Sequence, residues 1–278
     1  MPGNFDCIGF AVDSSEALAT LVEKMLPAAE PIGTRGDAET FRWQDESGAR
    51  LVFDVKRNTV NNVLPSFAAD DSTLLAAVQS VNDDTSFADI VDEQGETITR
   101  LAVDLEQRAL IRGNTVRGSA SLVGLVGQVN LFADEVEFRA SPASLLGPAD
   151  QDFGPPPPDF EREGSWPPRM GAESFFSHGM FGNARDARPI AQVNGVIVDA
   201  DERPNSVTGL RFVRARVRSA GFEADVCAPV GEMPLPERGQ VLAGTVYVVG
   251  SLGDWSREAP GLPDGCGSLL GRLLGRRN

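Results

Sequence analysis

Six prolines fall between positions 155 and 168, inside the stretch SPASLLGPADQDFGPPPPDFEREGSWPPRMGAES that runs from Ser141 to Ser174. A proline has no amide donor and fixes its own φ, so regular hydrogen-bonded structure is not expected there. The stretch divides the 278 residues in two. The expected plan is an acidic α+β domain over 1–142, a semi-rigid linker over 143–172, a small β domain over 173–255 and a Gly/Arg tail over 256–278. Room for two cores exists, since domains commonly run about 100–150 residues. Pro155 to Pro158 read as a spacer, with a proline-binding partner protein as the alternative, and the basic tail is a second place where a partner could dock.

Charge narrows the function. The formal net charge is -15, and residues 1–145 carry 23 Asp and Glu against 11 Lys and Arg. Coating nucleic acid or anionic lipid needs Lys and Arg to displace counterions, so neither partner is expected. No run of about 18 apolar residues occurs, and the start MPGNFDCIGFAVDSSE lacks the basic and long apolar segments of a secretory signal. A cytoplasmic protein without membrane association is the expectation. Cys7, Cys227 and Cys266 are widely spaced and form no CxxC, which argues for reduced thiols and against a zinc site.

In the first half, FDCIGFAV reads as an opening strand. DSSEALATLVEKMLPAAEP follows as an amphipathic helix, with Leu18, Leu21, Val22, Met25 and Leu26 at helical spacing. Asp13 and Glu16 fit a capping box, and Pro27 and Pro31 should end the helix. Strand-like runs continue through AETFRWQD, ARLVFDVKR, NNVLPSFAAD, LLAAVQSV, FADIVD and ETITRLAVDL; LVGLVGQVNLF suits a strand or a helix. After the linker, PIAQVNGVIVDA, RFVRARVRS, FEADVCAPV and QVLAGTVYVVG give four strands of an OB-like β-barrel, with ESFFSHGMF as a candidate for the missing edge. Gly195 within the first of these suggests a bulge or bend.

Two resemblances follow from these residues. The first seventy, in strand, helix and three-strand order with the DESGARLVFD turn, resemble one module of the glyoxalase and bleomycin-resistance superfamily. That implies a divalent metal held by His, Glu or Gln on the first and last strands of paired modules, yet FDCIGFAV offers only Asp6 and Cys7. VNLFADEVEFRASPASLLG, FFSHGMF, AQVNGVIVDADERPNSVTGLRF and ARVRSAGFEADV are similar to uncharacterised two-domain proteins of high-GC actinobacteria, a resemblance that brings no activity with it.

Arg211, Arg214, Arg216 and Arg218 are the residues that most look like a binding surface. A hairpin across Ser219 to Phe222 would place Arg218 opposite Glu223 and Arg216 opposite Asp225, with Val213, Ala215 and Val217 on the apolar face. Exposed pairs of this kind contribute about 0.2–1 kcal/mol, so the row reads as a charge-paired face, and single-stranded nucleic acid becomes the alternative ligand. Cys227 falls opposite Arg214, where a cation could lower its pKa, although an inert half-buried thiol is the plainer expectation.

Catalytic convergence is absent from the letters. His178 is the sole histidine and its neighbour Ser177 would point to the other face of an extended segment. Neither Lys24 nor Lys56 follows glycine as a phosphate-binding loop requires, and GCGSLLG is no dinucleotide fingerprint. The pairs Asp70 with Asp71 and Asp83 with Asp84, and the set Asp89, Asp92 and Glu93, lack the spacing of a calcium loop. Asn194, Asn205, Thr208 and Gly209 read as turn residues. The expectation is a non-enzymatic binding or accessory protein of unknown ligand, without cofactor, catalytic residue or metal ligand. Its alternatives are a single-stranded nucleic-acid-binding OB-like module and a glyoxalase-type divalent-metal enzyme.

Overall fold

The computed structural model describes residues 3–70, 73–147, 152–156 and 166–258, in which strand predominates over a few short helices. The chain is a β-rich α+β protein. None of the described helices is long and apolar enough to cross a membrane.

The opening run is not a strand. Asp6–Ile8 form a 3₁₀ helix that ends at Gly9, whose φ of +78° suits a residue without Cβ. The Asp6 carboxylate accepts from the Gly3 N–H at 2.8 Å, a local bond that competes with sheet pairing. Helix α1 (Ser15–Met25) comes next, and its cap is Ser14 rather than Asp13, with Ser14 Oγ accepting from Ala17 N at 3.1 Å. Glu16 in the first turn and Lys24 in the last suit the helix dipole, and Leu26–Ala28 tighten into a 3₁₀ turn carrying Pro27. Strands β1 (Glu30–Arg35), β2 (Ala38–Gln44), β3 (Ala49–Lys56) and β4 (Thr59–Phe67) then form an antiparallel meander in sequence order. The leading strand that a glyoxalase-like module would add is missing from the described residues.

The other nine strands form one sheet that closes on itself twice. In chain order these are β5 (Thr73–Ser80), β6 (Ser86–Val91), β7 (Thr97–Leu105), β8 (Val116–Phe132), β9 (Ser174–Phe176), β10 (Ile190–Pro204), β11 (Arg211–Ser219), β12 (Phe222–Pro229) and β13 (Val241–Arg257). The first ring runs β5, β6, β7, β13, β8 and back to β5; the second runs β10, β11, β12, β8, β13 and back to β10. Each is closed by one parallel pairing, Asp104 beside Val249 in the first ring and Asp225 beside Val123 in the second. Val123 and Val249 are themselves partners, so the two closures meet at a local pseudo-twofold axis.

Strands β8 and β13 are 17 residues long because each serves both rings. Their register shifts between Thr245 and Val246, within the second ring, and again between Leu252 and Trp255, within the first, so each shared strand is kinked on either side of the point where the rings meet. A glycine stands near each shift for want of space: a Cβ on Gly244 would lie 2.1 Å from the Gln128 carbonyl oxygen, and one on Gly118 2.5 Å from that of Asp254. The bend expected at Gly195 falls instead between Ile197 and Asp199.

The fifth strand of the second ring is therefore β8, from the far side of the proline stretch, while β9 pairs only with β10. The stretch 143–172 does not separate one sheet from another. Its flanks are pinned together, with Met170 N donating to Ser144 O at 2.6 Å and Leu145 bridged to Arg169. Helices α2 (Arg108–Ile111) and α3 (Glu135–Ala140) follow β7 and β8. Residues 148–151 and 157–165, and the tail from 259 onward, lie outside the described residues, whereas the tail expected from 256 begins as the last two residues of β13.

Candidate functional site

The arginine row lies on β11 in the expected register, with Arg214 opposite Cys227, Arg216 opposite Asp225 and Arg218 opposite Glu223. All four guanidinium groups meet carboxylates. Arg214 lies 2.8 Å from Asp225 and 2.9 Å from Asp199, and Arg216 lies 3.1 Å from Glu223 and 3.4 Å from Asp225. Arg211 pairs with Glu202 at 2.7 Å, and Arg218 reaches past Glu223 to Glu173 at 2.8 Å. The acid for Arg211 and a second acid for Arg214 come from β10, the other neighbour of β11, which a hairpin considered alone does not include. Burial drives the Asp225 carboxyl above its ordinary pKa against the pull of Arg214 and Arg216. A row this well neutralised has little attraction left for a phosphate.

A second polar cluster joins the meander to the first ring. Glu106, fully buried just past β7, lies 3.3 Å from both Arg42 and Arg50, and accepts from Ser66 Oγ at 2.6 Å and Ser251 Oγ at 2.9 Å. Arg108 sits between Asp104 at 2.7 Å and Asp54 at 2.8 Å, and the Tyr247 hydroxyl donates to Asp104 at 2.8 Å. Burial pushes the Asp104 carboxyl up to about 6, partly offset by Arg108 and Tyr247. These residues come from five separate stretches of chain, so sequence spacing gives no sign of them. Beside them a cleft of about 820 Å³ is lined by further charges, among them Asp37 paired with Lys56 and Asp83 paired with Arg112. Buried charges paired this closely act as a joint between layers, since removing one partner strands the other.

Within that cluster Arg108 Nη2 is buried without a hydrogen-bond partner among the described residues, and two exposed amides without partners among them lie on the outer face of the shared strands. The tripeptide Gln-Val-Asn occurs twice, at 128–130 in β8 and 192–194 in β10. Strand β13 lies between these two, and both copies are in step with it: Gln128 and Gln192 oppose Thr245, and Asn130 and Asn194 oppose Ala243. Strand β9 extends the rows, with Phe176 beside Gln192 and Ser174 beside Asn194. Valines 129 and 193 turn inward and pack on the core, so the amides stand on the opposite face.

This face floors a cavity of about 570 Å³. Its walls carry Pro142, Leu145, Leu146 and Met170, from the two pinned flanks of the proline stretch, together with Phe176 and His178. The next row along the strands, Phe132 with Val241 and Val196, is covered by Phe138 of α3. Asn194 is spent on structure, its Nδ2 donating to Ser174 Oγ at 2.8 Å and its Oδ1 accepting from Gln192 at 3.0 Å; it is a mid-strand residue, not the turn residue expected. By contrast, the side chains of Gln128 and Asn130 are exposed and have no hydrogen-bond partner among the described residues. No Lys, Arg, Asp or Glu lines the cavity among the described residues.

The remaining expected features are structural. Asn205 and Thr208 do make turn bonds, with Asn205 Oδ1 accepting from Val207 N at 3.0 Å and Thr208 Oγ1 from Leu210 N at 3.1 Å. Cys227 is wholly buried rather than half-buried, and burial raises its pKa well above the ordinary value despite Arg214 nearby. Cys7 is pushed up to about 12 by burial and its thiol donates to the Val126 carbonyl, which leaves it poorly suited to hold a metal. No three His, Cys, Asp or Glu side chains converge on a metal position among the described residues. Ser177 Oγ accepts from Ala102 N at 2.9 Å, while His178 sits edge-on to the Phe176 ring at 4.9 Å. Among the acidic residues, Asp92 closes a turn by accepting from Gln94 N and Glu96 N, while Asp89 pairs with Arg100 and Asp83 with Arg112; Asp71 lies outside the described residues.

Compared with known families, curated proteins and solved structures, the chain matches no family model, no curated protein and no solved structure.

Proposed function

We propose that this is a non-enzymatic binding or accessory protein, and that its ligand site is the cavity over Gln128, Thr245 and Gln192. One observation carries the reading: the amides of Gln128 and Asn130 face a cavity without protein partners, while the charged clusters elsewhere are paired internally. A site of a few hundred Å³ with apolar walls and a few convergent polar groups is the usual form of a small-ligand pocket. Its uncharged lining selects a neutral ligand, because an ion would lose its hydration there without a counter-charge.

The second ring is read as an OB-like barrel. Its cyclic order, three meander strands closed by two more with one parallel contact, supports that assignment, and the first ring repeats it. In this reading the site lies on the fourth, fifth and first strands, away from the arginines of the second. Saturation-transfer NMR with matched sets of neutral, cationic and anionic fragments tests the proposal. Neutral fragments should bind and be lost in Thr245→Arg, which fills the floor with a charge. Binding confined to anionic fragments, unaffected by that substitution, contradicts it.

A further inference from the structure

We infer that the ligand is an uncharged, extended peptide segment lying along β8, with its main chain read by Gln128 and Asn130; this rests on the cavity being the binding site. In an extended chain the N–H and C=O of one residue point to the same edge, and the residue two further on repeats them about 6.8 Å away. Gln128 and Asn130 are also two residues apart on an extended strand, so their side chains repeat with the same spacing. Each carboxamide offers one acceptor oxygen and an NH₂ donor, which is the complement of one residue's N–H and C=O. Two amides at the peptide repeat thus fit two alternate residues of a second chain.

The walls fit the rest of that chain. When its hydrogen-bonding edge faces the floor, successive side chains point sideways in opposite directions. The lining within their reach is Leu145, Leu146, Met170 and Phe176, so apolar side chains are favoured. Methionine suits such a wall because its flexible thioether adapts to different shapes. A flat neutral ring is less well served. One face of Phe176 is already stacked on Phe181, with centroids 5.1 Å apart and planes 16° from parallel, and His178 abuts the same ring.

The test uses the full chain labelled with ¹⁵N, in which the carboxamide signals of Gln128 and Asn130 are assigned from Gln128→Ala and Asn130→Ala. The probes are the blocked peptide acetyl-Leu-Ala-Leu-Ala-amide, its N-methylated counterpart, and adenosine as a neutral ligand that is not a peptide. The inference expects the blocked peptide to shift both carboxamide signals, and its affinity to fall roughly tenfold on N-methylation or in the Gln128→Ala, Asn130→Ala double variant. Both side chains are exposed, and backbone amide spectra of the variants confirm that the fold persists. Equal binding of the methylated peptide, or undiminished binding to the double variant, overturns the peptide assignment. Adenosine shifting the cavity signals while the peptide does not overturns it too, but leaves the binding function standing. No shift with any probe removes both.

Discussion

At the scale of single residues, the sign of an interaction depends on what surrounds the charge. Asp225 is almost fully buried between two guanidinium groups, and removing it leaves Arg214 and Arg216 without their common partner. Asp225→Ala should cost about 3–5 kcal/mol in urea unfolding. Arg218→Ala, which breaks an exposed pair with Glu173, should leave the midpoint unchanged. Two other carboxylates respond to acid in opposite ways. Burial acts to raise the Asp45 pKa, but hydrogen bonds from Ser206 and Ser47 outweigh it and hold the pKa below the ordinary 3.8. The folded state therefore binds that proton more weakly than the unfolded chain does, so the stabilisation is complete above the ordinary value and is lost as pH falls through the depressed one. Asp104, raised to about 6, costs stability while ionised, and the cost is relieved as pH falls through about 6. Urea midpoints measured between about pH 7 and pH 2 should show Asp45→Asn flattening the acid loss and Asp104→Asn flattening the gain near pH 6. Curves parallel to the parent protein would count against both assignments.

At the scale of elements, how far the sequence can be read follows from how each strand is buried. The hairpin of β11 and β12 is legible in full register, because Val213, Ala215 and Val217 alternate with charged residues and only one face is apolar. LVGLVGQVNLF is ambiguous for a physical reason: from Ser121 to Val126 β8 is buried on both faces, and alternation disappears. FDCIGFAV misleads because Cys7, Ile8 and Phe10 are buried by a turn, where apolar content carries no period. Asn194 reads locally as a turn signal, yet the twin Gln-Val-Asn tripeptides are a usable pointer: amides alternating with an inward valine in two strands. The bends in the shared strands can be tested alone. Gly244→Ala places a methyl against the Gln128 carbonyl and should cost about 1–3 kcal/mol. Gly231→Ala, with open space around it, should stay within about 0.5 kcal/mol. Equal effects would show that close approach is not why Gly244 is glycine.

At the scale of the whole molecule, the two rings exchange strands. Strands β5 to β8 precede the proline stretch and β9 to β13 follow it, yet the first ring needs β13 and the second needs β8. This long-range pairing is not legible in the sequence, because local patterns fix strands but not which ring a strand completes. It also places the candidate site: β8 brings Gln128 and Asn130 to a floor whose other members lie more than sixty residues later. Neither half has a closed barrel of its own, so fragments 1–147 and 166–278 should each fail to give a cooperative unfolding transition and should fold when expressed together. A protease site introduced within 157–165 decides the matter in the intact protein. After cleavage and gel filtration without denaturant, the two pieces should elute as one species with a single unfolding transition; pieces that separate and unfold independently would contradict strand sharing.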